Sequence, residues 1–307
     1  MVGETARRRF DRALAHHRRG DLPTASRLYQ QILPGAPDFA GARHMLGLIA
    51  YQIGDHAAAR HLIEQAIAIT PRIPECHNNL GLALQALGDL PAAGAAYRRA
   101  VALRRDYEEA LLNLGNLEAR QDRPDAASRY YRRAIAARPS YVPAHANLAR
   151  LRQLQGRDGE ALAHYARALE LDPTDAGLHN AVGTLFHARG ELDRAVDHYR
   201  QACVLGPDAI DHAVNLGLGL RDQGRFAEAV QIASRMLARA PGDARCQSLF
   251  TDCIRRAPPT RRDPVLAGQL TRALAEGWDR PNYLASAALA LLRLDATPGS
   301  FGALLRA

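Results

Sequence analysis

The chain has 307 residues, 47% apolar and 6% aromatic, and its formal charge of +8 rests on arginine alone, with no lysine. Few aromatics and short runs rich in alanine and leucine favour helices over β-sandwiches and barrels. No apolar run reaches the roughly 18 residues of a spanning helix, and MVGETARRRFDRALA sets charges where a signal peptide needs its apolar core; the reading expects a cytoplasmic chain with four reduced cysteines.

From Ala6 onward the sequence keeps a 34-residue clock. Gly20, Gly54, Gly88, Gly156, Gly190 and Gly224 stand on it, with Asp122 in the missing place. Five residues later come Ala25, Ala59, Ala93, Ala127, Ala161, Ala195 and Ala229. Four further on are Tyr29, Ile63, Tyr97, Tyr131, Tyr165, Tyr199 and Ala233. Pro37, Pro71, Pro139, Pro173, Pro207 and Pro241 form the next beat, with Arg105 as the exception. An earlier beat holds Gly47, Gly81, Gly115, Gly183 and Gly217, with Ala13 and Ala149 as small substitutes.

Each beat has a mechanical reason. The early small residue lets a second helix approach the first. The glycine of the GDL, GDH or GRF segments ends the first helix at positive φ. The alanine sits in the second helix at its closest contact, and the tyrosine supplies bulk between repeats. The proline stops the second helix. Asp122 should weaken one helix end, and Arg105 leaves one repeat without its stop.

Residues 6–243 therefore read as seven helix–turn–helix repeats. Residues 244–257 read as a capping helix, drawn through Ala244–Arg256. The next glycine beat would fall at residue 258, where Ala257-Pro258-Pro259-Thr260 cannot continue the pattern. Residues 263–307 read as helical but off the register, with starts at Asp263-Pro264 and Asp279-Arg280-Pro281. The apolar ending on Ala307 reads as a cut through something that continues.

The pattern, carried almost in full by NNLGLALQALGDLPAAGAAYRRA from Asn78 to Ala100, resembles the tetratricopeptide repeat (TPR) family. The resemblance implies an all-α fold, a right-handed α-solenoid of seven 34-residue helix–turn–helix repeats with a C-terminal helical cap. It also implies that the chain binds proteins or peptides in a concave groove lined by first helices, with second helices outside.

No catalytic, cofactor-binding or metal-binding residues are assigned. Gly217-Leu218-Gly219 with Gly224 lacks the strand and spacing of a dinucleotide loop, and two of its glycines belong to the clock. His56 and His61 are five apart, not the four of a helical metal pair. Cys246 and Cys253 share a helix face and read as buried packing. Arginine clusters occur at Arg7–Arg9, Arg18/Arg19, Arg98/Arg99, Arg104/Arg105, Arg132/Arg133, Arg255/Arg256 and Arg261/Arg262. Interleaved acidic residues and scarce aromatics argue against nucleic acid and for a solvated outer face.

One constellation rises above the scaffold. Asn79, Asn113, Asn147 and Asn215 stand two residues before the early small beat, and Asn180 lies beside the interrupting Ala181. A primary amide can pair with a peptide N–H and C=O together. A ladder of them would hold an extended chain whatever its side chains. It resembles the superhelix of protein O-GlcNAc transferases, although asparagine at this place also serves local packing. By the same phase Gln85, Asn116, Arg120, Arg150, Gln153, Thr184, His187 and Arg221 would line the groove, with Glu109, Asp211 and Asp222 as acidic counterweight.

The expected partner is a protein or extended peptide, with no membrane and with self-association left open. The alternative is the substrate-recruiting part of a larger enzyme, because Leu270–Asp295 resembles the region after TPR arrays in bacterial methyltransferase fusions. That reading expects an S-adenosylmethionine-dependent methyltransferase, or an O-GlcNAc-type glycosyltransferase, beyond residue 307.

Overall fold

The computed structural model describes residues 4–260, 263–279 and 281–294. Among them are 17 α-helices and no strand. The chain divides into two compact units, Met1–Leu151 and Arg152–Ala307. The first holds α1 (Glu4–Arg18), α2 (Leu22–Gln30), α3 (Ala40–Gln52), α4 (His56–Ile69), α5 (Pro74–Ala86), α6 (Leu90–Leu103), α7 (Glu108–Arg120) and α8 (Pro124–Ala137), together with most of α9 (Val142–Leu154). The second continues with α10 (Asp158–Leu171), α11 (Ala176–Ala188), α12 (Leu192–Leu205), α13 (Ile210–Asp222), α14 (Phe226–Arg239), α15 (Ala244–Arg256), α16 (Pro264–Glu276) and α17 (Pro281–Leu294). Arg261, Arg262, Arg280 and the apolar ending of the chain lie outside the described residues.

Local signals start and stop these helices. Asp55 and Asp89 accept hydrogen bonds from the backbone N–H of Ala58 and Ala92, at 2.9 and 3.1 Å, so α4 and α6 begin on a capped donor. Gly88 ends α5's turn at φ +85°, and the other clock glycines match it. Asp122 adopts the same left-handed conformation at φ +55°, and α7 still ends on the beat. The second helix without its proline also stops on time: α6 ends at Leu103, one period after Ile69 and one before Ala137. Arg104 caps it in an extended conformation, so the proline reinforces a stop that packing already sets.

The alanine beat is wholly buried in every repeat. The tyrosine position does more than fill the space between repeats. Its ring lies against the small residue of its own first helix as well as toward the next repeat, where Tyr199 comes within 3.4 Å of a Cβ placed on Gly219. A Cβ on Gly81 would meet the Tyr97 ring at 2.5 Å, and one on Gly183 would meet Tyr199 at 2.6 Å. Ile63 fills the same place over Gly47. At the last repeat Ala233 leaves the place empty, and Leu249 of α15 reaches over Gly217 instead. In the first unit Tyr97, Leu111, Leu114 and Tyr107 gather into one core cluster. In the second, Leu185, Tyr199, Phe250 and Ile254 are buried to within 2% of complete.

Helices begin where the sequence places them after the last repeat. Asp263 caps α16 by accepting from the backbone N–H of Val265 and Leu266, with Pro264 in its first turn. Pro281 opens α17. Among the described residues no helix is long and apolar enough to cross a membrane.

Candidate functional site

The ladder asparagines all fall on first helices, and all are half-buried. Each early small residue draws the second helix close on one side, which leaves the amide two positions earlier facing the first helix of the preceding repeat. The hydrogen bonds follow from that. In the first unit Asn113 Nδ2 donates to Asn78 Oδ1 at 3.0 Å, and Asn78 Nδ2 lies 3.4 Å from Asn79 Oδ1. Asn79 Nδ2 donates in turn to His44 Nε2 at 2.9 Å. A polar chain thus runs through α7, α5 and α3. Asn147 Nδ2 donates to Asn116 Oδ1 at 2.7 Å.

An amide nitrogen only donates, so His44 Nε2 must accept, and the ring is neutral with its proton on Nδ1. Burial agrees, pushing the His44 pKa below the ordinary imidazole value, against a smaller opposing pull from Glu75.

In the second unit Asn215 Nδ2 donates to Asn180 Oδ1 at 2.9 Å. His187 Nε2 lies 2.8 Å from Asp222 Oδ2. Arg221 Nε donates to Asp222 Oδ1 at 2.8 Å, and Arg221 also reaches Asp252 at 3.9 Å. Burial acts to raise the Asp222 carboxyl, but the hydrogen bonds from Arg221 and His187 outweigh it and hold the group below the usual range. Asp211 pairs with Arg245.

The tyrosine beat contributes a second row. The Tyr97 hydroxyl donates to Gln85 at 3.3 Å, Tyr131 to Asn116 at 2.9 Å, and Tyr165 to Gln153 at 3.3 Å. Tyr199 sits 3.4 Å from both Thr184 and His187 Nδ1. The buried rings thus fix, through their tips, the polar side chains that stand beside the amides. Arg120 and Arg150 are exposed, outside these networks, and Glu109 is half-buried.

The sequence reading missed His44 and Asn78. A signal for them exists: each stands 35 residues before a ladder amide, as Asn180 does before Asn215. Asn79, Asn113, Asn147 and Asn215 each spend one N–H on a neighbouring repeat, while Asn180 accepts. A primary amide carries a second N–H and a carbonyl oxygen besides, which is the complement of a peptide backbone.

Among the described residues no group of three or more His, Cys, Asp or Glu side chains is placed to hold a metal ion. Burial pushes the Cys76 and Cys253 thiols up to about 12, and Cys203 and Cys246 up to about 11. Thiols so shifted are poor nucleophiles near neutrality.

Comparison with known proteins bears on the scaffold. Family models described as tetratricopeptide repeat match residues 6–31, 44–108, 112–176, 147–210 and 183–244. No curated protein matches the sequence. Among solved structures, PilW, titled a widely conserved type IV pilus biogenesis factor, is 23% identical with a TM-score of 0.63, over 68% of this chain and 97% of that one. The pilF protein of Pseudomonas aeruginosa is 19% identical with a TM-score of 0.62, over 69% and 97%. A tetratricopeptide repeat protein from Parabacteroides merdae is 16% identical with a TM-score of 0.61, over 82% and 100%. At these identities the likeness is one of fold.

Proposed function

The chain belongs to the tetratricopeptide repeat family, and from that premise we propose that it binds an extended polypeptide along the first-helix faces of its two units. The asparagine ladder grips the backbone: Asn79, Asn113 and Asn147 in the first unit, Asn180 and Asn215 in the second. Gln153, His187 and Arg221 stand beside the amides and select among side chains, and Arg120 and Arg150 supply mobile positive charge. The single observation behind this reading is the amide network, because Asn79, Asn113, Asn147 and Asn215 are each oriented by a partner one repeat back, and Asn180 by Asn215, while all five stay partly exposed. Pre-oriented amides lose little freedom on binding, which favours affinity for a flexible chain.

The test begins with a peptide selected from a random displayed library against the full chain. Its affinity is then compared between wild type and an Asn113→Ala/Asn147→Ala variant. The proposal expects a loss of about tenfold or more, as two backbone-directed hydrogen-bonding groups disappear. An unchanged affinity overturns it. Because Asn113→Ala also leaves the buried Asn78 carbonyl without its donor, thermal unfolding of the variant is measured alongside.

A second reading, recruitment of substrate to a transferase domain beyond residue 307, draws on the resemblance of Leu270–Asp295. It expects the reading frame to continue into a strand, a glycine-rich loop and a helix.

A further inference from the structure

The second helices of the first unit carry a surface that the amide ladder does not explain. On α6 and α8 stand Arg98, Arg99, Arg129, Arg132 and Arg133, with Arg105 just after α6, and all six are exposed. None has a carboxylate within ion-pair distance among the described residues. Helix α6 has no acidic residue, and α8 has only Asp125, in its first turn. Like charges gathered on and beside two neighbouring helices repel one another, and no ion pair among the described residues offsets them.

The corresponding helices of the second unit show what the same scaffold does when the charges are balanced. Arg167 is the clock equivalent of Arg99 and Arg133, and its Nη1 lies 2.9 Å from Glu170. The places equivalent to Glu170 in the first unit are Ala102 and Ala136. Arg200, the equivalent of Arg98 and Arg132, is held by Asp197 and Glu228. The first unit has the arginines without their partners.

These charges surround a defined cleft. A depression of about 470 Å³ opens between α6 and α8, with Arg98, Arg105 and Arg133 around it, Val101 and Tyr130 on its walls, and Leu114 of α7 beneath. Arg133 is steadied by a hydrogen bond from Nη2 to the Arg105 carbonyl at 3.3 Å. It also lies 5.9 Å from the centre of the Tyr130 ring. The cleft is therefore cationic at its rim and lined within by Val101, Ala102 and Tyr130, over the wholly buried Leu114.

We propose that this cleft docks an acidic polypeptide segment, in which carboxylates flank an apolar side chain. The apolar residue enters against Val101, Ala102 and Tyr130, and the carboxylates take the guanidinium forks, whose planar donors match a carboxylate bidentately. The choice of a polypeptide rests on charge complementarity together with the protein-binding habit of the family. A single tyrosine beside the arginines gives nucleic-acid bases no stacking platform. This site is separate from the amide ladder, and either can fail without the other.

The full chain is titrated with a short labelled peptide alternating glutamate and leucine, and with the same peptide carrying glutamine for glutamate. The proposal expects the acidic peptide to bind at least about tenfold more tightly, with an affinity that falls as salt rises. An Arg98→Glu/Arg133→Glu variant should lose that preference and acquire one for a lysine–leucine peptide. The exchange of preference keeps the result apart from loss of folding, since a misfolded chain acquires no new specificity. Equal binding of the two first peptides overturns the proposal, as does an unchanged preference in the variant. Tighter binding of a DNA duplex or of phosphatidylserine vesicles than of the acidic peptide also overturns it.

Discussion

The two units run on one clock and differ in what they do with charge. Residues 1–151 hold 21 arginines against 14 acidic residues, a formal +7, and residues 152–307 hold 19 against 18, a formal +1. In the second unit Arg157, Arg167, Arg189, Arg194, Arg225 and Arg245 each meet a carboxylate. In the first, the arginines of α6 and α8 meet none. The buried beats are nearly identical, so the scaffold has no need of this difference. Positions under packing constraint repeat faithfully, and divergence collects where side chains face solvent or a ligand.

The largest test of that comparison is to attack the shared part. Tyr97→Ala and Tyr199→Ala remove equivalent buried rings, one per unit, and each should cost about 3–5 kcal/mol in urea unfolding. Costs differing several-fold would break the claim that the interiors are equivalent. A smaller effect separates the last repeat from the others. Gly81→Ala drives a methyl into the Tyr97 ring and should cost about 1–3 kcal/mol. Gly217→Ala meets instead the terminal methyl of Leu249, which can swing aside, so it should cost less. Equal costs would mean that Leu249 is as firmly held as the tyrosine.

The turns give the next step down. Asp122→Gly frees a non-glycine residue from φ +55° and should stabilise the chain by up to about 1 kcal/mol, whereas Gly190→Ala should destabilise it by about 1–2 kcal/mol. Salt gives the smallest effect. Screening relieves repulsion on α6 and α8 but weakens the ion pairs on α10 and α12. Raising ionic strength should therefore slow amide exchange in the first pair relative to the second, by a few tenths of a kcal/mol in opening free energy. A uniform response would show that the unpaired arginines impose no strain.

Much of the fold was legible in the sequence because packing acts there through single residue types at fixed spacing. Gly81 can be read as a close approach without coordinates, and Asp263-Pro264 as a helix start. What lay out of reach depends on direction rather than type. Spacing says that Tyr97 is bulky, but not that its ring covers Gly81 while its hydroxyl reaches Gln85. Spacing picked out Asn113, but not that one of its amide hydrogens goes back to Asn78. The clock also makes Arg167 and Arg133 equivalents, with Glu170 three residues after the first and Ala136 after the second, but does not say that Glu170 turns to meet Arg167. The ladder was therefore half-visible: its members could be named, while the neighbours that orient them could not.

That orientation is the core of the functional reading, and the peptide side tests it most directly, since no protein side chain is disturbed. The library-selected peptide is compared with a version whose side chains are shuffled in order and with one whose backbone nitrogens are methylated. If the amide ladder grips the backbone, the shuffled peptide keeps its affinity within a few-fold and the methylated one loses about tenfold or more. Loss on shuffling with retention on methylation would contradict the account, because the chain would then be reading side chains and not the backbone.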